Sequence, residues 1–337
     1  MPSQQVFNEL TKKGLNINTN RYNCYDTLET TDDLDELFCV LNSVRDSTNH
    51  PAVITPVTNV ANPDFEKIKR SGFSEYYYEK FTDTLERYYQ SKNVFKLWKQ
   101  GIEAGIFTPE LHGREHINVY LWLHKLREGN HDLLTAFDQG FIFLKVPSIP
   151  DPAAEFRAAF YFTSDDQKSF LITAIRESVE LFHEIFGFLP RVFVPGNNMF
   201  HPDFDIVVAE AGVKYLYASH SMPYSVEGGA LKHRGKIAGR RGPYDLVYYT
   251  RNCAFEPTDH NYKGIELTMR QVAAAFRWGK PANISTHRVN FAGGIDPGNR
   301  RKGLSELRKL LQAIITKWPD VEFMSSGDML DYMSDNN

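Results

Sequence analysis

His112 and His116 stand four residues apart in the run Leu111-His112-Gly113-Arg114-Glu115-His116-Ile117-Asn118-Val119. Imidazoles at this spacing can approach one ion from a tight loop or from one helix face, and zinc or another divalent first-row ion suits them. The same residues satisfy the inverted peptidase pattern H-x-x-E-H, with Glu115 as general base. That pattern needs a continuous helix, in which Gly113 costs about 1 kcal/mol, and a further acid such as Glu177 or Glu180 as third ligand. Phe107 and Pro109 precede the pair and Val119, Tyr120, Trp122, Leu123 and Leu126 follow it as an amphipathic stripe, so the pair is expected where a loop enters a helix.

The elements that must position these residues are legible as an alternation. Short β-branched runs at Ala52 to Thr55, Phe156 to Phe162, Arg191 to Val194, Leu246 to Thr250 and Asn283 to Thr286 read as strands. Helical stripes separate them: Leu304, Leu307, Leu310, Leu311, Ile314 and Ile315 form one, and Phe170, Ile175, Val179 and Phe182 another. Helices are also expected over Gln5 to Lys13, from Thr31 with Asp32 and Asp33 in its first turn, and from Pro202 to Gly212. The pattern predicts an α/β protein with a mostly parallel sheet and a ligand site at the C-terminal strand ends. With no tandem repeat, low-complexity tract or pooled Pro/Gly linker, residues 1–337 read as one domain.

Composition narrows the function. A net charge of −4 with both signs scattered gives no reason to expect nucleic acid or anionic lipid as partner. Cys24, Cys39 and Cys253 form no even set and no C-x-x-C, which argues for reduced thiols. The polar opening residues and the lack of a long apolar run lead to the expectation of a cytoplasmic protein with no membrane span.

Several segments, in order, resemble the polysaccharide deacetylase superfamily. The His112/His116 pair resembles its second motif, and Phe193-Val194-Pro195-Gly196-Asn197-Asn198 its third, although the usual arginine and tyrosine of that motif are absent here. Ile284-Ser285-Thr286-His287-Arg288 resembles the last, in which a strand delivers a histidine that acts as general acid. The resemblance implies a distorted (β/α) barrel and a metal-dependent hydrolase that removes an acyl group from an N-acetylated sugar or related amide. His112 and His116 would be the ligands of a divalent ion, expected to be zinc, and His287 the acid.

The family's first motif, two adjacent aspartates after strand one, has no counterpart here. Asp32 and Asp33 are better explained as a helix first turn, which leaves Asp26 as the sole nominee for general base or third ligand. The opening Met1-Pro2-Ser3 is similar to a segment that follows the aspartate pair in related proteins, so the chain is expected to begin just after the first strand. Asn197, Arg251 and Asn252 are candidates for binding substrate hydroxyls, and Glu256 is a further polar residue of that region. Tyr76, Tyr77, Tyr78, Tyr215 and Tyr217 would serve either as sugar-stacking faces or, more commonly for aromatics, as core. Set against the hydrolase are a sugar-binding relative that lost its metal chemistry and, last, the zinc peptidase.

Overall fold

A computed structural model describes the whole chain except residues 1, 19, 90–92, 147–148, 150–154, 236–237 and 336–337. Its strands, in chain order, are β1 (Val57–Asn59), β2 (Ala61–Pro63), β3 (Tyr78–Lys80), β4 (Glu110–Gly113), β5 (Val192–Phe193), β6 (Tyr215–Tyr217), β7 (Ser221–Ser225), β8 (Leu231–Gly235), β9 (Val247–Tyr249), β10 (Cys253–Ala254) and β11 (Ile284–Ser285). Five of them form one sheet in the order β1-β4-β5-β6-β9, and every neighbouring pair is parallel. A separate parallel pair, β10 with β11, follows. Two antiparallel pairs, β2 with β3 and β7 with β8, stand outside this wall. The fold is therefore α/β, with a mostly parallel, barrel-like sheet whose ladder is incomplete.

Alternation along the strands divides the wall into an inner and an outer face. Val192, Val194, Tyr215 and Tyr249 gather on one side with Leu330 of the helix Ser326–Asp335. Leu111, Phe193, Leu216 and Tyr248 gather on the other, under the helices Asp165–Phe186 and Phe204–Glu210. The long helix at Asp165 starts on a Ser164 cap with Asp165 and Asp166 in its first turn, and stops at Gly187 in the left-handed conformation, φ 81°. Helices Thr31–Asn42, Val94–Glu103, Glu266–Arg277 and Pro297–Lys317 pack as a third group beside β10 and β11.

The Arg191, Leu246 and Asn283 runs form strands as expected. At Ala52 to Thr55 only Ile54 makes a bridge, to Phe107. Phe156 to Phe162 is not a strand. Its apolar residues are buried, which produced the signal, but its carbonyls accept from Asn118 and from local turns instead of a ladder. Asn118 takes its backbone N–H to the Phe156 carbonyl (2.7 Å) and its side-chain amide to those of Ala158 and Tyr161. Phe156 itself has φ 58°, which breaks an extended run.

Asp33 proves structural. It completes a capping box with Thr30, one residue before the expected start, and its other oxygen accepts from Arg300 and from the Gly293 backbone, each within 2.9 Å.

Candidate active site

The histidine pair sits where a strand, not a helix, runs out. His112 lies in β4, and the chain turns at Gly113, whose φ of 124° is open only to glycine, to bring His116 back over it. The two rings lie 5.1 Å apart, centroid to centroid. His112 Nδ1 donates to the Val194 carbonyl at 2.6 Å, which fixes the tautomer and leaves the Nε2 lone pair available. Gly196 provides the room for His116: a methyl group there would stand 3.3 Å from Nε2. His116 Nδ1 is buried with no hydrogen-bond partner.

Burial pushes the His112 pKa down to about 3, helped by the neighbouring His116 and Arg251. His116 is pushed down to about 4 by burial and by Arg157. Both rings are thus neutral at pH 7, the form that binds a metal.

The inverted peptidase geometry does not form. A strand and a loop carry the motif, and Glu115 is buried on Arg114, which donates to it from Nε (2.6 Å) and Nη2 (3.0 Å). Glu177 is paired with the same guanidinium. Tyr78, Phe170 and Tyr76 lie against that guanidinium, 4.7, 5.0 and 5.5 Å from its carbon.

His287 follows the end of β11, with Nδ1 at 2.5 Å from Glu256 Oε1 and its ring edge against Tyr22. Glu256 is held in turn by Arg21 at 2.8 Å and by the Asn290 amide at 2.9 Å. Burial would raise its pKa, but the hydrogen bonds from His287 and Asn290 and the Arg21 charge outweigh it and hold the carboxyl below its usual range.

One cavity of about 1380 Å³ joins these groups. His112, His116, His287, Asp26, Asn197 and Arg251 all line it; Asn252 does not. Asn252 is spent on backbone, donating to the Pro281 carbonyl and accepting from Asn283 N–H, both at 2.8 Å. Asp26 is clamped by Arg288, at 2.9 and 3.2 Å. Burial opposes ionisation there, but Arg288 prevails and keeps the Asp26 carboxyl below its ordinary range. Asn197 is exposed on a turn in which it and Asn198 have φ of 54° and 52°, a conformation asparagine tolerates. Arg251 lies 4.4 Å over the Tyr217 ring. None of the five tyrosines considered as stacking faces lines the cavity; Tyr215, for example, is buried and donates to Asp331.

Glu256, Arg157 and Tyr22 belong to the site although no sequence motif marks them. The signal available for Glu256 was positional: Ala254 pairs with Ser285, so Glu256 and His287 each lie two residues past paired positions. Arg157 reaches the site through the misread segment and stacks 4.0 Å from Phe143.

The pair supplies two metal donors, whereas catalytic zinc usually has three protein ligands. No group of three or more His, Cys, Asp or Glu side chains converges on one point among the described residues. No helix among them is long and apolar enough to cross a membrane.

No protein-family profile matches the chain, and no curated protein matches it. Among solved structures it is similar to a 4-alpha-glucanotransferase from Thermococcus litoralis, with TM-score 0.47 and 11% identity over 98% of this chain and 38% of that one. A Parabacteroides distasonis protein provisionally described as a glycoside hydrolase/deacetylase aligns with TM-score 0.36 and 14% identity, covering 66% of this chain and 58% of that one. IcaB from Ammonifex degensii gives 0.27 and 11% over 66% of this chain and 80% of its own. The chain thus spans less than two thirds of the first two. These likenesses are distant.

Proposed function

We propose that the chain is a metal-dependent hydrolase of the deacetylase kind, acting on an N-acylated sugar or a related amide. The observation that carries this reading is the oriented pair: His112 locked by the Val194 carbonyl, His116 folded over it, both neutral and opening on the cavity that His287 also lines. His112 and His116 would hold the ion, with zinc the first choice. A bound divalent ion supplies Lewis-acid polarisation of the acyl carbonyl and a water of lowered pKa.

The chain's own groups divide the remaining work. His287, positioned by Glu256, hands a proton to the departing amine nitrogen, a role worth typically 10²- to 10⁴-fold in rate. Asn197 and Arg251 contact substrate hydroxyls from the cavity wall. Asp26, nominated as base, is already ionised against Arg288, and a carboxylate of lowered pKa is a weak proton acceptor. Asp26→Asn should therefore slow turnover less than His287→Ala.

A second reading, a sugar-binding relative without metal chemistry, is favoured by the lack of a third converging ligand among the described residues. Calorimetric titration of zinc into the wild-type chain, His112→Ala and His116→Ala separates the two. About one ion per chain, lost in both variants, supports the hydrolase and makes acetate release from N-acetylated sugars the next assay. No binding at micromolar zinc favours the sugar-binding reading.

A further inference from the structure

The helix Arg21–Tyr25 is too short to carry a packed apolar stripe, and its fully buried side chain, Asn23, is polar. What holds it is a set of polar contacts, and they go to both sides of the cavity at once. On the His287 side, Arg21 pairs with Glu256 at 2.8 Å, and the Tyr22 ring meets the His287 ring edge-on, 5.6 Å between centroids. Further along the chain, Asp26 and Glu29 bind Arg288 at 2.9 and 3.1 Å.

On the His116 side, Arg157 Nη2 donates to the Asn23 side chain at 2.9 Å, and its guanidinium carbon stands 5.4 Å from the Tyr22 ring. Asn20, the helix cap, donates to Glu155 at 3.2 Å, and the Asn23 amide donates to the Phe143 carbonyl at 3.4 Å. Phe143 in turn lies against the His116 ring. Glu256 and His287 lie past the ends of β10 and β11, and His116 past the end of β4, so residues 20–29 cross the site over the C-terminal strand ends. The far end of this strap is fixed as well: Thr27 is 2% exposed and seated on Gly294, where a methyl group would stand 2.5 Å from its hydroxyl. Tyr22 and Asp26 line the cavity from the strap.

A groove bridged from wall to wall differs from an open one in what it admits. The interior of a long chain can be laid into an open groove, whereas under a fixed strap it has to be threaded from an end. We propose that the strap makes the site selective for free sugars and chain ends: an N-acylated sugar enters end first, beneath Tyr22, and the interior of a polymer is excluded. This rests on the reading of the cavity as a site for N-acylated sugars. Arg21, Asn23 and Arg157 determine the specificity, because their contacts close the bridge. The Arg21 and Glu256 side chains are only 16% and 20% exposed, so salt screens their pairing less than it would on an open surface.

The test compares sugars of one composition and two topologies. Linear and cyclic six-residue chains of N-acetylglucosamine are titrated into the metal-free protein, with the ring proton signals of Tyr22 and His287 as the readout. The linear chain should shift both signals, and the cyclic one, which has no end, should bind at least about a hundredfold more weakly. Arg21→Gln with Arg157→Gln, which unfastens one contact on each side, should bring the cyclic sugar to within about tenfold of the linear one. Arg21→Gln alone, a milder change should the double variant lose its fold, should narrow the difference by at least about threefold. Equal binding of the two sugars by the wild-type protein overturns the proposal, as does a shift at neither ring with either sugar. A difference that persists unchanged in the folded variants overturns it too. Selectivity for the linear sugar that these variants relax upholds it whatever a zinc titration returns, so this reading and the metal reading fail separately.

Discussion

The β4-β5-β6 wall and the β1/β11 wall are built from similar residues and end up in opposite conditions. Under the first, Phe160, Phe193, Phe200 and Phe204 interlock with ring centroids 5.0 to 6.3 Å apart, and each strand is paired on both edges. Beside the second, Leu307, Leu310, Leu311 and Ile314 present an equally apolar helix face to an open cavity. Burial from bulk water is therefore not the same as packing: Leu311 and Phe193 are both buried, yet Leu311 keeps surface toward the cavity while Phe193 keeps none.

Truncation should separate the walls most sharply. Phe193→Ala is expected to cost about 3–5 kcal/mol in urea unfolding, and Leu311→Ala only about 2 kcal/mol, because part of the contact that substitution removes is absent already. Equal costs for the two would end the contrast.

The closed wall also holds a buried carboxyl whose pKa is raised. Glu110, 2% exposed, accepts from the backbone N–H of Arg191 and Val192 at 2.8 and 2.9 Å, and burial raises its pKa to about 7. A raised acid favours the fold below its unfolded pKa near 4.5 and loses that contribution as pH climbs through about 7. Glu110→Gln, which keeps the acceptor, should therefore gain about 2–3 kcal/mol over wild type at pH 8 and nothing at pH 4, read from urea midpoints.

The histidines act with the opposite sign. Their folded pKa values lie below the ordinary 6.5, so the unfolded chain takes up protons that the folded one refuses, and stability falls as pH drops from about 6.5 toward 4. The slope should approach at most 1.4 kcal/mol per pH unit for each ring, a limit of about one proton's linkage. His116→Gln should flatten it, as unfolding curves at pH 7, 6 and 5 would reveal.

The smallest effect is the most diagnostic. Ala282→Phe, which adds volume beside the open wall, should be neutral or stabilise by about 0.5–1 kcal/mol. Ala159→Phe, against the packed aromatics, should cost about 1–3 kcal/mol. Opposite signs in thermal denaturation are the expected result.

What was legible in the sequence follows the same division. Helix stripes and the strands β5, β9 and β11 carry local signals and match their expected places, whereas the cap expected at Thr31 lies one residue earlier, at Thr30. β4 was missed because Glu110 and His112 interrupt its apolar pattern, although the histidine pair itself was found from spacing. The segment at Phe156 is not a strand because it is held by the backbone and side chain of Asn118, 38 or more residues away, which no local pattern announces. Clamps such as Asp26 with Arg288, 262 positions apart, are invisible for the same reason, and so is the Glu256 support of His287.

The Asn118 tether has a kinetic consequence. Residues 156–162 form part of the wall yet are anchored by Asn118 and by the Ser225 hydroxyl that accepts from Phe162 N–H, so detaching them breaks no strand pairing. Detaching this stretch would still withdraw Phe156, Phe160 and Phe162 from the core, so it should unfold together with the sheet and hold Arg157 beside His116 until then. Limited proteolysis under native conditions should leave it uncut, and its amides should exchange with those of the sheet.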